Sequence, residues 1–210
     1  MALFLDVETT GFPTRDNLPW GTYYPYTNTE KYDNARIIQV SMMLCNNKFE
    51  KIDFKDFIVK PDGYVIENSD IHGITTEQAL ESGFSMKSGM SYVFSLIRKA
   101  THIFAHNSNF DMNVLLSELY RNNLTIYIEE LKKKTVICTM KLTKMIVKIP
   151  NKYGDGIKDP SLVELYKAVM GKEIENHHNA IYDVSNLQEI VKKLYDTNKL
   201  KLNENIILGN

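Results

Sequence analysis

Apolar and polar positions alternate with two different periods along the chain. In the first half, short apolar runs bounded by turn residues predict strands at 2–8, 35–46 and 54–61. After residue 90 the spacing becomes helical, interrupted by one more short apolar strand at 101–107. Helices are predicted at 90–100, 108–123, 160–171 and 180–195, and residues 135–148 begin as a strand and continue as a helix. Strands followed by alternation with helices predict an α/β fold, a mixed central sheet flanked by helices.

A long segment at about 12–36 matches neither period. Its Pro, Gly and Asn content argues against a regular element, and its length is unusual for a loop without structure. Two interpretations of its aromatic residues stay open. They stack on nucleic-acid bases, or they fold the segment onto its own domain, which is the interpretation we favour. The aromatic residues concerned are Trp20, Tyr23, Tyr24 and Tyr26.

Composition narrows the class of protein without pointing to a function. The 210 residues fit a single domain, 1–210, and 43% hydrophobic with 24% charged residues is ordinary for a globular protein. A net charge of −1 gives no global attraction to nucleic acid, so such binding would need local patches. Cys45 and Cys138 lie in apolar stretches and are interpreted as reduced, buried thiols. No basic leader and no spanning run is seen, so we expect an intracellular, soluble protein without a membrane partner.

Two carboxylates interrupt the first apolar strand. Asp6 and Glu8 alternate with Leu5 and Val7, so they share one face of the strand, with Cα atoms about 7 Å apart. Like charges at that distance repel, and an ionised carboxylate left unpaired in a buried site is costly. Something must therefore compensate them.

Two further acids stand in apolar surroundings. Asp111 falls in the first turn of the helix that follows the strand at 101–107, and Asp183 in the first turn of the last long helix. Each alone is explained by the helix dipole, which an acid near the N-terminus complements. Taken with Asp6 and Glu8, they predict a site for Mg²⁺ or Mn²⁺, ions that prefer carboxylate oxygens. Two such ions suit phosphodiester cleavage, and His178, five residues before Asp183, is the candidate base.

The segments that contain these acids and His178 resemble the motifs of a known family. "FLDVETTG" resembles the first motif of the DEDD exonucleases, "AHNSNFDMNVL" their second, and "HNAIYDV" the histidine-containing motif of the DEDDh (DnaQ-like) branch. "IHGIT" at 71–75 is also typical of proofreading-type members, and the motifs occur in order over roughly residues 2–195. Asn179 stands where the branch with a catalytic tyrosine would have that residue.

The resemblance implies a ribonuclease-H-like fold and a 3′→5′ exonuclease that releases nucleoside monophosphates. Asp6, Glu8, Asp111 and Asp183 would hold two Mg²⁺ or Mn²⁺ ions, and Glu8 and His178 would be catalytic, with His178 the general base. It also implies substrate contacts for three residues, Thr9, Thr10 and Asn107. The expected partners are nucleic-acid 3′ ends, with single-stranded DNA favoured and a polymerase as a candidate partner in proofreading or repair.

The other histidines are weaker candidates for proton transfer. His177 adjoins His178, but only His178 has the spacing of the motif. His72 and His106 are expected to hydrogen-bond local backbone, with substrate contact as the alternative, and His102 is interpreted as structural.

Residues 132–172 carry ten lysines and three acids, an excess that the neutral total conceals. If 139–149 is a helix, Lys141, Lys144 and Lys148 share a face opposite apolar residues. Such a face could follow phosphates or could be an ordinary solvated surface, and both interpretations stay open.

Three functions are compatible with these features. A 3′→5′ exonuclease on DNA is the leading hypothesis, and an exoribonuclease is its nearest competitor because the chemistry is common to both. A nuclease-like fold that only binds nucleic acid is the third, disfavoured because all four acids and the histidine are present. A structural Ca²⁺ site fits poorly, since no Asp-rich loop occurs.

Overall fold

The computed structural model describes residues 1–174 and 179–200. Five strands form one sheet in the order β3-β2-β1-β4-β5. They are β1 (Ala2–Thr9), β2 (Ile37–Cys45), β3 (Lys51–Ile58), β4 (His102–Ala105) and β5 (Thr135–Cys138). The β1–β2 and β2–β3 pairs are antiparallel, whereas β1–β4 and β4–β5 are parallel, so the predicted mixed sheet is confirmed.

Helices cover both faces of the sheet. They are α1 (Ser69–His72), α2 (Thr76–Ser82), α3 (Met86–Lys99), α4 (Ser108–Arg121), α5 (Thr125–Lys132), α6 (Thr139–Val147), α7 (Leu162–Met170) and α8 (Ala180–Asp196). One core lies between the sheet and α3, α4 and α5, and a second lies between the sheet and α7 and α8. Among the described residues, no helix combines the length and apolar character needed to span a membrane.

Three elements differ from the prediction in their bounds or in their presence. Strand β3 begins at Lys51 rather than 54; its first two residues lie exposed on an edge strand, and Ile52 is the one apolar residue among 51–53. Helix α5 was not predicted, and the left-handed backbone of Asn123 separates it from α4. Helix α6 ends at Val147 instead of 149, and Lys148 follows it in a left-handed conformation.

The segment 12–36 folds onto the domain through two of its four aromatic residues, Tyr23 and Tyr26, which confirms the favoured interpretation for these two, whereas Tyr24 bonds within the segment. Tyr23 packs on Phe110 of α4, and Tyr26 packs on Tyr120. The Tyr24 hydroxyl and the Lys31 ammonium both donate to the Asp16 carboxylate, at 2.9 and 2.8 Å. A short 3₁₀ helix, Thr29–Tyr32, is the regular element within the segment.

Both ends of that segment are fixed at the end of β1. The Thr10 N–H donates to the carbonyl of Arg36, and the Thr10 hydroxyl donates to the carbonyl of Asn34. A side chain at Gly11 would place its Cβ 2.8 Å from that Asn34 carbonyl, which explains why a residue without Cβ stands there. The insertion therefore leaves and rejoins the sheet beside Asp6 and Glu8.

Candidate active site

Strand β1 directs Asp6 and Glu8 toward the side of the sheet that α8 covers. Ala2 and Phe4, which share their face, pack in the core beneath α7 and α8, while Leu3, Leu5 and Val7 pack in the opposite core. The predicted alternation is thus present. After Phe4, the next two side chains on this face of β1 are the carboxylates of Asp6 and Glu8.

The N-terminus of α8 brings a third acid to this point. The Asn179 side chain accepts from the Ile181 N–H and caps the helix, and Asp183 follows in the first turn. Carboxylate oxygens of Asp6, Glu8 and Asp183 lie within 4.8 Å of one another. We call these three residues the carboxylate cluster.

Asp111 reaches the same place because β4 is short. Strand β4 ends at Ala105 and pairs with β1 only as far as Phe4, so the rest of β1 has an open edge on that side. Asn107 turns the chain in a left-handed conformation, α4 begins at Ser108, and the Asp111 carboxylate accepts the backbone N–H of Val7. Asp111 lies beside the cluster, but its oxygens are not among those within 4.8 Å of one another.

Burial and mutual repulsion raise the pKa values of Asp6, Glu8 and Asp111. Burial raises the pKa of Asp6 well above its usual range, and the charges of Asp111, Asp183 and Glu8 raise it further. Burial raises the pKa of Glu8 to about 7, with Asp183 adding to the effect. The pKa of Asp111 rises to about 8, mainly by burial and against the hydrogen bonds it accepts from backbone. A cation at this point would reverse each of these shifts.

The arrangement fits a hard divalent ion. Within the described residues no ion pair involves Asp6, Glu8 or Asp111, and the buried Oδ2 of Asp111 has no hydrogen-bond partner there. All the donors are carboxylate oxygens, the ligands that Mg²⁺ and Mn²⁺ prefer. The four acids predicted from the sequence are therefore brought together.

The three predicted substrate residues lie around these acids in different situations. The Thr9 hydroxyl donates to the carbonyl of Gly11 at 2.7 Å. The Thr10 hydroxyl also accepts the N–H of Arg36 at 2.9 Å, so it closes the insertion. The Asn107 amide interacts with the Tyr23 hydroxyl. Their contact with substrate stays a prediction.

A cavity of about 510 Å³ opens beside Glu8 and Thr9. Its wall includes the exposed Phe12 ring, which lies 5.7 Å from the ring of Phe110, and it continues to Ile71 and His72. The composition of this wall was not predicted from the sequence. The one feature of the sequence that pointed to this wall is Phe12, the aromatic residue directly after "ETTG". Its position opposite Phe110 follows only from the fold.

The predicted base lies outside the described residues, as does His177. His178 belongs to 175–178, so its role stays a prediction.

Of the remaining histidines, His72 and His102 hydrogen-bond to neighbours in the sequence, whereas the partners of His106 come from distant segments rather than from local backbone. His72 is 3% exposed and its Nδ1 accepts the N–H of Ile74, while its Nε2 has no partner within the described residues. His106 contacts the carbonyl of Pro160 and the hydroxyl of Thr139, and His102 contacts the hydroxyl of Thr101.

The lysine face predicted on 139–149 is wrong as a continuous stripe. Lys148 lies beyond the end of α6, and Lys144 pairs with Asp159 at 2.9 Å. Met145, expected on the apolar face, is exposed. Among the other lysines of 132–172, four more pair with acids: Lys133, Lys134, Lys158 and Lys167. Five of the ten lysines of this range therefore pair with an acid. Of the two cysteines, Cys45 is buried and Cys138 is half-buried, and both are free thiols.

Comparison with solved structures places this fold among nucleases. The chain matches an Escherichia coli ExoI–ssDNA complex in its zinc-bound form with 23% identity and a TM-score of 0.68, covering 93% of this chain. It matches Exonuclease X in complex with 5′ overhanging duplex DNA with 18% identity, a TM-score of 0.62 and 99% coverage. A 3′-exonuclease described with a histone mRNA stem-loop matches with 15% identity, a TM-score of 0.64 and 93% coverage.

These neighbours share a ribonuclease-H-like fold with this chain. The chain spans 40% of the ExoI chain, 98% of Exonuclease X and 81% of the 3′-exonuclease. A comparison with curated proteins by sequence finds no match.

A family model described as "Exonuclease" matches residues 3–191. The chain belongs to this exonuclease family, which confirms the resemblance to the DEDDh (DnaQ-like) exonucleases.

Proposed function

We propose that this protein is a metal-dependent 3′→5′ exonuclease that removes nucleoside monophosphates from DNA 3′ ends. The observation that carries the proposal is the convergence of Asp6, Glu8 and Asp183 within 4.8 Å, with Asp111 beside them, in an exonuclease fold. No lysine or arginine pairs with Asp6, Glu8 or Asp111 in the described chain, so the site is built for a cation from solution.

The four acids would hold two Mg²⁺ or Mn²⁺ ions, which when bound would activate the attacking water and stabilise the leaving oxygen. His178 takes the proton of that water. The bond between phosphorus and the 3′ oxygen of the preceding nucleotide breaks, and that oxygen is protonated as it leaves. The cavity between Glu8 and Phe110 is the place we assign to the terminal nucleotide, with Thr9 in its wall.

An exoribonuclease is the second candidate. The observation that favours it is the match to the 3′-exonuclease described with a histone mRNA stem-loop. The acids act on a phosphodiester that DNA and RNA share, so the distinction depends on contacts to the 2′-hydroxyl. Proofreading and a polymerase partner stay predictions from the family resemblance.

A gel assay on 5′-labelled single-stranded DNA and RNA of one sequence tests the proposal. With Mg²⁺ or Mn²⁺ we expect a ladder that shortens from the 3′ end, and with EDTA no ladder. Asp6→Asn should abolish it. Asp56→Asn is the matched control, because Asp56 lies in register with Ser41 and Asp6 across three strands but outside the cluster.

A second variant tests the base. His178→Ala should keep metal binding and lose turnover by about 10²- to 10⁴-fold, the usual contribution of a general base. A fully active His178→Ala would show that another group takes the proton. Bound nucleic acid without any ladder would favour the binding-only hypothesis.

A further inference from the structure

One aromatic residue of the insertion does not pack. Tyr23 and Tyr26 pack on α4, and Tyr24 hydrogen-bonds to Asp16. Trp20, in contrast, is 82% exposed. Trp20 is the only tryptophan of the chain. A ring this exposed adds little to the core, and it leaves a flat apolar face in solvent.

A tight turn holds Trp20 outward. The Thr22 N–H donates to the carbonyl of Pro19 at 3.1 Å, the Thr22 hydroxyl donates to the same carbonyl at 2.6 Å, and Gly21 takes the positive φ of 78° that the turn needs. The Arg15 guanidinium lies over the indole, 4.4 Å from the ring centroid. One face of the ring therefore carries a cation, and the edge and other face are available to a flat partner.

The turn is attached to the helix that carries Asp111. The Asn109 side chain donates to the carbonyl of Gly21 at 3.2 Å, and Asn109 stands in the first turn of α4, two residues before Asp111. Next to this bond, Tyr23 packs on Phe110, which lines the cavity beside Glu8. Arg15 is near enough to Tyr23 to oppose the rise in the pKa of its hydroxyl that burial causes. The turn that carries Trp20 is thus joined to the first turn of the helix that supplies Asp111 and Phe110.

We propose that Trp20 and Arg15 form a stacking platform for a base of the single strand, on the 5′ side of the nucleotide being removed. This inference rests on the proposed function. The occupant is single-stranded nucleic acid, because an exposed indole offers a flat face to any base and the guanidinium adds the positive charge that the phosphates require. Through Asn109 and Tyr23, the turn that carries the platform is joined to helix α4, whose Phe110 lines the cavity assigned to the terminal nucleotide. It makes the insertion a part of the substrate path.

The single tryptophan gives a direct measurement of binding. In EDTA, where no cleavage is expected, a long single-stranded oligonucleotide should quench the emission of Trp20, and a nucleoside monophosphate should not. DNA and RNA should both quench, because stacking uses the base and not the sugar. Unchanged emission at saturating oligonucleotide, with binding shown by anisotropy of a labelled strand, would overturn the platform.

Kinetics of matched variants provide the second readout. Trp20→Ala should raise KM for a long strand about tenfold, the loss expected for one stacked base, with a much smaller change for a dinucleotide. Trp20→Phe should recover most of the loss, and Arg15→Gln should weaken the salt dependence of KM. The matched control is Tyr92→Ala on α3, an exposed ring that also carries a cation, Lys55 of the edge strand β3, at 4.6 Å and that stacks on Phe84. An equal KM increase in Trp20→Ala and Tyr92→Ala would contradict the platform.

The two proposals fail in different ways. Wild-type protein that quenches with single strands but never shortens them would overturn the exonuclease proposal and keep the platform. Protein that shortens them with normal KM in Trp20→Ala would keep the exonuclease and overturn the platform. Emission that depends on protein concentration without nucleic acid would assign the ring to a second copy, and it would also overturn the platform.

Discussion

Helix α4 carries two buried acids, and only one of them has a cationic partner in the described part of the chain. Asp111 and Glu118 stand two turns apart on one side of the helix and are 3% and 5% exposed. Glu118 receives a two-pronged ion pair from Arg36, with Nε–Oε2 and NH2–Oε1 distances of 2.8 and 2.9 Å. Asp111 receives two backbone N–H groups but no cation from the described chain.

The difference separates an acid that maintains the fold from an acid that is available for chemistry. The Glu118–Arg36 pair joins α4 to the returning end of the insertion, and Arg36 also lies over the ring of Tyr64. It is complete without any ligand. Three other acids lie near Asp111, and their negative charges are balanced only when a cation is bound.

Loss of Asp111 should have the largest effect, and it should fall on activity. In Asp111→Asn we expect cleavage to drop by at least about 10³-fold, since substitutions one step removed from a metal already cost about 10- to 100-fold. The folded protein in EDTA should be no less stable than wild type, because the amide can still accept the Val7 N–H. A single-turnover assay and a thermal melt measure the two effects. Near-normal cleavage would remove Asp111 from the site.

Loss of Glu118 should fall on stability instead. Glu118→Gln leaves the partly buried Arg36 without its counter-charge, which costs at most about 3–5 kcal/mol of the free energy of unfolding, the value for a fully buried pair. For a chain of this size the melting temperature should fall by roughly 10 °C. Cleavage by the protein that remains folded should be close to wild type. Joint replacement, Arg36→Met with Glu118→Leu, should recover much of the loss; failure to recover would mean that the pair matters beyond its charges.

Metal addition should stabilise the two variants differently. A ligand that binds only the folded state at about 100 times its Kd adds about 2.7 kcal/mol to the free energy of unfolding. We expect Mn²⁺ to raise the melting temperature of wild type and Glu118→Gln by similar amounts, and Asp111→Asn by much less. Equal shifts in all three proteins would place the bound ion elsewhere.

The smallest expected effect is on pH dependence without metal. Burial raises the pKa of Glu8 from 4.5 to about 7 and that of Asp111 from 3.8 to about 8. An acid whose pKa is higher in the folded state stabilises fully below its unfolded pKa, and this stability is lost as pH rises through the folded value. In EDTA, wild type should therefore lose stability relative to Asp111→Asn between about pH 4 and 8. Saturating Mn²⁺ should remove that relative loss, and a relative gain would contradict the assignment.

The sequence predicted the acids better than it predicted their surroundings. Asp6 and Glu8 were visible because a strand fixes a period of two, and Asp111 and Asp183 because each follows a helix start. Helix α5, the early start of β3 and the division of the lysines into paired and unpaired were not visible. Each depends on which distant residue covers an element, and local spacing does not contain that information.

What the sequence by itself determined is the set of chemical groups and the face on which each stands. Backbone geometry alone puts Asp6 beside Glu8 on one face of β1, and motif order alone indicated the family. Only the tertiary structure decided that β4 stops early enough for Asp111 to accept the Val7 N–H, and that Arg36 pairs with Glu118. It also decided that Trp20 stays in solvent while Tyr23 and Tyr26 pack on α4. The physical reason is that periodicity is set by bonds between adjacent residues, whereas charge compensation and burial are set by residues that the topology brings together from distant parts of the chain.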